Sequence, residues 1–283
     1  MKIDNSGKKF TYIAALIITL FGAISAAFVW QLTDREELIN EPPAGRTVTT
    51  APSRFETATP TPVMLRLPNA DAVPALVDDY ANDASLWKLV NKSAPFSDLT
   101  YAPNVQLVPV ATQAGRGVDE RSLRVDTFAD LQAMFQDARA VGHELHVGSG
   151  YRSYTTQAAI YSRYVAQVGE TQARTFSAPP GHSEHQSGLA VDLSSADQIC
   201  WLEICFRDTP AGQWLAENFY HYGFVLRYPE GKEAITGFQF EPWHFRYVDK
   251  DLATALYQSG LTLEEAQPYL QEAQRAIAER KSA

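Results

Sequence analysis

Pro180-Gly181-His182-Ser183-Glu184-His185-Gln186-Ser187-Gly188-Leu189-Ala190-Val191-Asp192-Leu193 is the stretch around which this 283-residue chain is organised. It carries two imidazoles, His182 and His185, and two carboxylates, Glu184 and Asp192, with Gly188 between His185 and Asp192. The run Leu189-Ala190-Val191-Asp192-Leu193 reads as a short strand leaving a turn. Further along lies Glu241-Pro242-Trp243-His244, again a carboxylate followed by an imidazole. Borderline cations such as zinc favour imidazole and carboxylate ligands. Together the two motifs offer His185, Asp192 and His244 as ligands and leave Glu241 free. Three protein ligands keep a coordination position open for water, the pattern of a catalytic zinc site, and Glu241 is then the candidate general base.

Outward from these motifs, the composition is that of a globular protein: 45% hydrophobic and 20% charged, with a formal net charge of −9. The acidic balance argues against a general nucleic-acid binder, which usually shows a basic face. Residues 1–9 hold Lys2, Lys8 and Lys9, and residues 10–30 contain no charged side chain. About 20 apolar residues span a bilayer as a helix, and the basic flank stays inside, so 10–30 is expected to be a transmembrane signal-anchor with the bulk of the chain outside the cytoplasm. The alternative is a signal peptide cleaved near Ser25-Ala26-Ala27, giving a secreted protein. Residues 31–62 are rich in Pro, Thr and Ala and read as a linker. Cys200 and Cys205 are the two cysteines. Outside the cytoplasm they are disulfide candidates, and a zinc pair is the lesser alternative.

Residues 63–260 form the expected domain, with a C-terminal helix over 261–283. Short apolar runs from Leu86 to Val110 suggest an early strand and wrapping loops. Asp126-Thr127 opens a helix whose inner face is Phe128, Leu131, Met134, Phe135, Ala138 and Val141. A strand follows over 144–149, and a second helix over 155–168 with Ile160, Tyr161, Tyr164, Val165 and Val168 inward. Thr209-Pro210 starts another helix, a Thr cap with Pro at the first helical position. Strands are expected over 224–228 and 238–248. In the second, Trp243, Phe245 and Tyr247 alternate with His244 and Arg246, placing His244 on the face opposite the aromatics. Thr262-Leu263-Glu264-Glu265 is a capping box, with Pro268 as a source of a kink. Irregular alternation of strands and helices favours an α+β fold with a small, mostly antiparallel sheet and flanking helices.

The pattern Ser183-x-His185-x-x-Gly188-x-Ala190-x-Asp192, followed by Glu241-x-x-His244, resembles the zinc D-alanyl-D-alanine carboxypeptidases of the VanY type. Ser149-Gly150-Tyr151-Arg152-Ser153 with Gln157, Tyr222 to Pro229, and Thr236-Gly237 agree with it. The resemblance runs from about Leu89-Val90-Asn91-Lys92 to Val248. It implies the fold shared with hedgehog signalling domains, one zinc ion per chain, and a peptidoglycan stem peptide as substrate, from which D-alanine leaves. Arg152 is implied to steady the developing oxyanion or the scissile carbonyl, a task suited to a planar guanidinium. Ser183, Gln157 and Tyr151 are carried over as substrate-binding or pocket-shaping residues.

Plainer readings stand beside these. Asp192 can cap a turn, and Glu241 can pair with Arg246 or Arg152. His143, His146 and His221 are expected to be structural, and His182 to line the pocket rather than bind metal. Tyr228 and Trp243 are expected to pack. Two rival functions share the motifs: an L,D-carboxypeptidase or a cross-bridge endopeptidase. A third is a non-catalytic wall-binding module with a structural zinc, which would need neither Glu241 nor Arg152. Oligomeric state is not legible.

Overall fold

The computed structural model describes Leu65 and residues 80–282. The expected anchor over 10–30 and linker over 31–62 lie outside the described residues. Among the described residues no helix is long and apolar enough to cross a membrane.

Two short strands, β1 (Gln106–Leu107) and β2 (Ser122–Leu123), pair antiparallel. The expected early strand is therefore confined to Gln106–Leu107, and the segment before it wraps the domain as loops. Trp87 pins that wrapping: it is fully buried, and its indole N–H donates to the Val248 carbonyl at 2.8 Å. Helix α1 follows at Phe128–Ala140, burying Leu131, Met134, Phe135 and Ala138. Thr127 occupies the cap position, but its hydroxyl donates to the Arg124 carbonyl and caps nothing. Val141 is 60% exposed, because the helix has ended before it and the chain turns at Gly142.

A four-stranded antiparallel sheet carries the core, with order β3-β4-β6-β5: β3 (Leu145–Ser149), β4 (Ala190–Ser195), β5 (Phe224–Leu226) and β6 (His244–Tyr247). Its inner face takes Leu145, Val147, Val191 and Leu193, with Phe245 and Tyr247, against α1 and helix α4 (Pro210–Asn218). Thr209 caps α4 as its sequence suggested, accepting from Gly212 N. The strand expected over 238–248 reduces to His244–Tyr247. Pro242 supplies no ladder donor, and His244 N instead donates back to the Glu241 carbonyl in a turn. Phe245 and Tyr247 face the core, and His244 and Arg246 lie opposite them, buried as well.

Helix α2 (Tyr154–Val168) departs from expectation. Its fully buried residue is Gln157, and Val168 is 48% exposed. Ile160 and Tyr164 turn toward an open cleft instead of the core. Helices α3 (Glu170–Phe176) and α5 (Glu233–Thr236) are short. Helix α6 (Lys250–Ser259) and helix α7 (Leu263–Ser282) build a second apolar cluster with Trp87, Val225 and Val248. The capping box is present: Glu265 N donates to Thr262 Oγ1 at 3.2 Å, and Thr262 N to Glu265 Oε2 at 2.8 Å.

Candidate metal centre and cleft

Sheet register builds the centre. Asp192 on β4 pairs directly with His244 on β6 and, on its other side, with Ser149 at the end of β3. Directly opposed residues bring their side chains within reach. His185 arrives from the one-turn helix Glu184–Ser187, which Gly188 ends at φ 69°. A side chain there would press Val105 at 2.8 Å as well as straining the backbone, so the turn that presents His185 requires glycine. His185 Nδ1 lies 2.6 Å from the Gly150 carbonyl and therefore donates to it, leaving Nε2 for other partners.

These three residues converge. Asp192 Oδ1 is 2.9 Å from His244 Nδ1, and Asp192 Oδ2 is 3.4 Å from His185 Nε2. Each of the three offers a ligand atom within 4.8 Å of the others, and all are buried. No other group of three such side chains lies close enough to hold a metal among the described residues. His244 Nε2 has no hydrogen-bond partner although it is buried. A cation bound at Nδ1, the nitrogen on the Asp192 side, would leave Nε2 as the protonated nitrogen of the ring. The donor set, two nitrogens and one carboxylate, suits zinc.

Charges in the centre are displaced from their ordinary ranges. Burial pushes the Asp192 carboxyl up, but the two imidazoles overcome it and hold the group well below the usual carboxylate range. Burial opposes protonation of His244, yet the hydrogen bond to Asp192 and the neighbouring Glu184 carboxylate raise it to about 9. His185 is lowered by its burial, against the pull of Asp192. Glu241 is raised to about 7, chiefly because it is buried. No ion pair joins Glu241 to Arg246 or Arg152. Arg246 instead bonds Glu184.

A cleft of about 450 Å³ opens over the centre, with Arg152, Ser183 and Glu241 on its wall. The Arg152 guanidinium is aimed by two neighbours: Gln157 Oε1 accepts from Nη1 at 3.0 Å, and Ser149 Oγ from Nη2 at 3.1 Å. Gln157 is itself fixed by donating to the Ala178 carbonyl at 2.7 Å. Tyr151 is buried and lines the cleft. Tyr228 and Trp243 also line it, so they do more than pack, and the Tyr228 ring stacks on His244 at 4.8 Å. His182 does not line the cleft. Its Nδ1 meets the Asn91 carbonyl at 3.1 Å.

The expected disulfide is present, and two features had no signal in the spacing of the motifs: the fold of the loop it closes, and Glu184. Cys200 and Cys205 form the bond, which excludes the alternative of a zinc pair. The loop it closes runs through left-handed Gln198, Cys200 and Leu202. Such residues persist only where the surroundings over-determine them. Trp201 is one such constraint: it lies so close over Gly148 that a Cβ there would meet the indole at 2.1 Å. The loop thereby becomes a wall of the cleft. The other feature is Glu184, whose partners Arg227 and Arg246 lie far along the chain.

Residues 120–250 match the family model described as VanY, D-alanyl-D-alanine carboxypeptidase. The Bacillus subtilis protein YodJ is 39% identical over 190 residues, covering 67% of this chain and 69% of YodJ. Among solved structures, the LdcB LD-carboxypeptidase is 38% identical at a TM-score of 0.63, over 66% of this chain and 87% of that one. A variant of the VanY D,D-pentapeptidase from a VanB-type resistance cassette, in complex with Zn(II), is 34% identical at a TM-score of 0.54. It matches over 64% of this chain and 98% of that one.

Proposed function

The chain belongs to the VanY D-alanyl-D-alanine carboxypeptidase family, and from that premise we propose that it is a zinc-dependent D,D-carboxypeptidase removing C-terminal D-alanine from peptidoglycan stem peptides. The observation that carries the reading is the meeting, in one cleft, of a buried His/Asp/His set, a carboxyl raised to about 7 and an aimed guanidinium. His185, Asp192 and His244 would hold the ion. Zinc supplies Lewis acidity there and lowers the pKa of water from 15.7 to roughly 7.

This chain's own residues do the remaining work. Glu241, as carboxylate, accepts a proton from the attacking water as the water oxygen bonds to the scissile carbonyl carbon. It returns that proton to the amide nitrogen as the C–N bond breaks and D-alanine leaves. Arg152 donates to the carbonyl oxygen as negative charge develops. Ser183 and Tyr151, on the cleft wall, contact the substrate's C-terminal end. A module that only bound the wall would need neither Glu241 nor Arg152. We place the enzyme outside the cytoplasm, held by the apolar segment 10–30. The disulfide suits that compartment.

An L,D-specific reading is favoured by one observation, the likeness to LdcB. Incubating the purified protein with defined tripeptide, tetrapeptide and pentapeptide stems and weighing the products separates the two. Loss of one D-alanine from the pentapeptide is expected. Loss from the tetrapeptide alone makes it an L,D-enzyme, and intact stems with bound zinc make it a binding module.

Gln157→Ala frees one side of Arg152. A hydrogen bond to a charged group is worth about 1.5–3 kcal/mol, so turnover should fall about 10-fold or more with zinc content unchanged. Unchanged turnover would mean that Ser149 alone places the guanidinium.

A further inference from the structure

Glu184, next to the ligand His185, has no part in the chemistry just described, yet its side chain is fully buried. Its Oε1 accepts from Arg227 Nε at 2.8 Å and from Arg246 Nη1 at 2.9 Å. Both arginines are buried to within 1%. Arg227 goes on to grip Glu264 of α7 with two further bonds, at 2.8 and 2.6 Å. Glu264 also accepts from Asn91 Nδ2 at 3.0 Å. Arg246 spends its other donors on the carbonyls of Leu86, Lys88 and Tyr247. Two cations and two carboxylates cancel in charge, and this network is satisfied almost throughout.

The exception is Glu184 Oε2, which has no partner. It faces His244 Nε2, which also has none, at 3.7 Å. Two buried polar atoms left open toward each other, inside a network otherwise complete, form a hydrogen bond one small ring movement from closure. A buried ion cluster is weak evidence for stability, since apolar side chains of similar volume often serve as well. That leaves the open atom to explain the cluster's place beside a ligand.

We propose that Glu184 is a positioning residue for the metal centre. It accepts the Nε2 proton of His244 and so presents Nδ1, the nitrogen on the Asp192 side, to the cation. Glu264 on the C-terminal helix, acting through Arg227, holds Glu184 in place. The inference rests on the metal reading of His185, Asp192 and His244. It extends the centre beyond residues 120–250, because Glu264 lies outside the matched segment. The recipient of the hydrogen bond is fixed by geometry: Oε1 is committed to two arginines, so Oε2 is the free acceptor.

Glu184→Gln tests this in the full chain. The two arginines would hold the amide oxygen, turning the amide N–H₂ toward His244 Nε2–H, donor against donor. Zinc affinity, read by competition with a chelator, should fall about 10- to 100-fold, the usual cost of losing such an outer partner. The visible spectrum of the cobalt-substituted chain should change with it. Glu264→Gln should lower thermal stability with a smaller change in zinc affinity, because it does not touch His244. Wild-type zinc affinity and an unchanged cobalt spectrum in Glu184→Gln overturn the proposal, whatever happens to stability. If Glu184→Gln does not fold, long-range ¹H–¹⁵N spectra of the zinc-loaded wild-type chain decide. A proton on His244 Nε2 supports the proposal, and a proton on Nδ1 overturns it. Wild-type protein that binds no zinc fails at the metal reading, which distinguishes that failure from this one.

Discussion

Glu241→Gln is expected to keep about one zinc per chain while D-alanine release falls by at least about 10²-fold, the usual range for a lost general base being 10²–10⁴. Glutamine keeps the shape of the side chain and removes the proton acceptor. Glu241 lies outside the group of ligand atoms, which involves His185, Asp192 and His244 alone. A pH profile sharpens the test. The base must be ionised to act, so kcat/KM should rise with pH as Glu241 loses its proton. Burial raises that carboxyl to about 7 in the protein without metal, and a nearby dication favours the carboxylate, so the loaded enzyme's limb should lie below 7. Glu241→Gln should lose this limb.

The same displacement has a stability consequence. A carboxyl whose pKa is raised on folding contributes stability that is fully present below its unfolded value and lost as pH rises through its folded one. For Glu241 that window runs from 4.5 to about 7. At pH 8 the metal-free wild-type protein therefore carries a cost of up to about 3 kcal/mol that Glu241→Gln lacks. The metal-free variant should melt higher than metal-free wild type at pH 8 and no higher at pH 4. A variant that loses zinc would make Glu241 a ligand. One that keeps zinc and full activity would move the proton acceptor elsewhere in the cleft.

Why the candidate ligands were legible and their support was not follows from distance along the chain. His185 and Asp192 share one turn and one strand, and Glu241 and His244 share one turn, so local spacing carries them. The antiparallel sheet then joins the two motifs by pairing Asp192 with His244. Alternation of aromatics with His244 and Arg246 also placed His244 on the correct face. It overran the strand, because period-two patterning does not register that Pro242 interrupts the ladder. Val141 and Val168 fit helical periodicity yet are exposed, since each falls at the point where its helix stops. Glu184 could be seen but not interpreted. Its partners Arg227 and Arg246 come from the segment after β5 and from β6, Arg227's second partner Glu264 comes from α7, and only tertiary packing brings them together. Trp201 was hidden for the same reason: nothing in Cys-Trp-Leu-Glu-Ile-Cys says that the loop folds onto Gly148.

His185→Ala combined with His244→Ala is expected to abolish zinc retention, and with it turnover. A single remaining carboxylate, Asp192, is a poor site for zinc, which takes three protein ligands in catalytic centres. The loss should exceed the roughly 10- to 100-fold cost of disturbing an outer partner. The double variant also strips Asp192 of both imidazoles that hold it ionised, and an uncompensated buried charge costs about 3–5 kcal/mol. Unfolding could then mimic loss of metal. Asp192→Asn avoids this, because it removes the charge with the ligand and keeps the shape and the acceptor facing His244. It should fold by circular dichroism and still bind zinc at least about 10²-fold more weakly than wild type, more than an outer-partner change costs. Stoichiometric zinc in both variants would sink the assignment. No second group of three such side chains is close enough to take the ion over among the described residues, so retained zinc would have to be bound through ligands of a different kind or outside those residues.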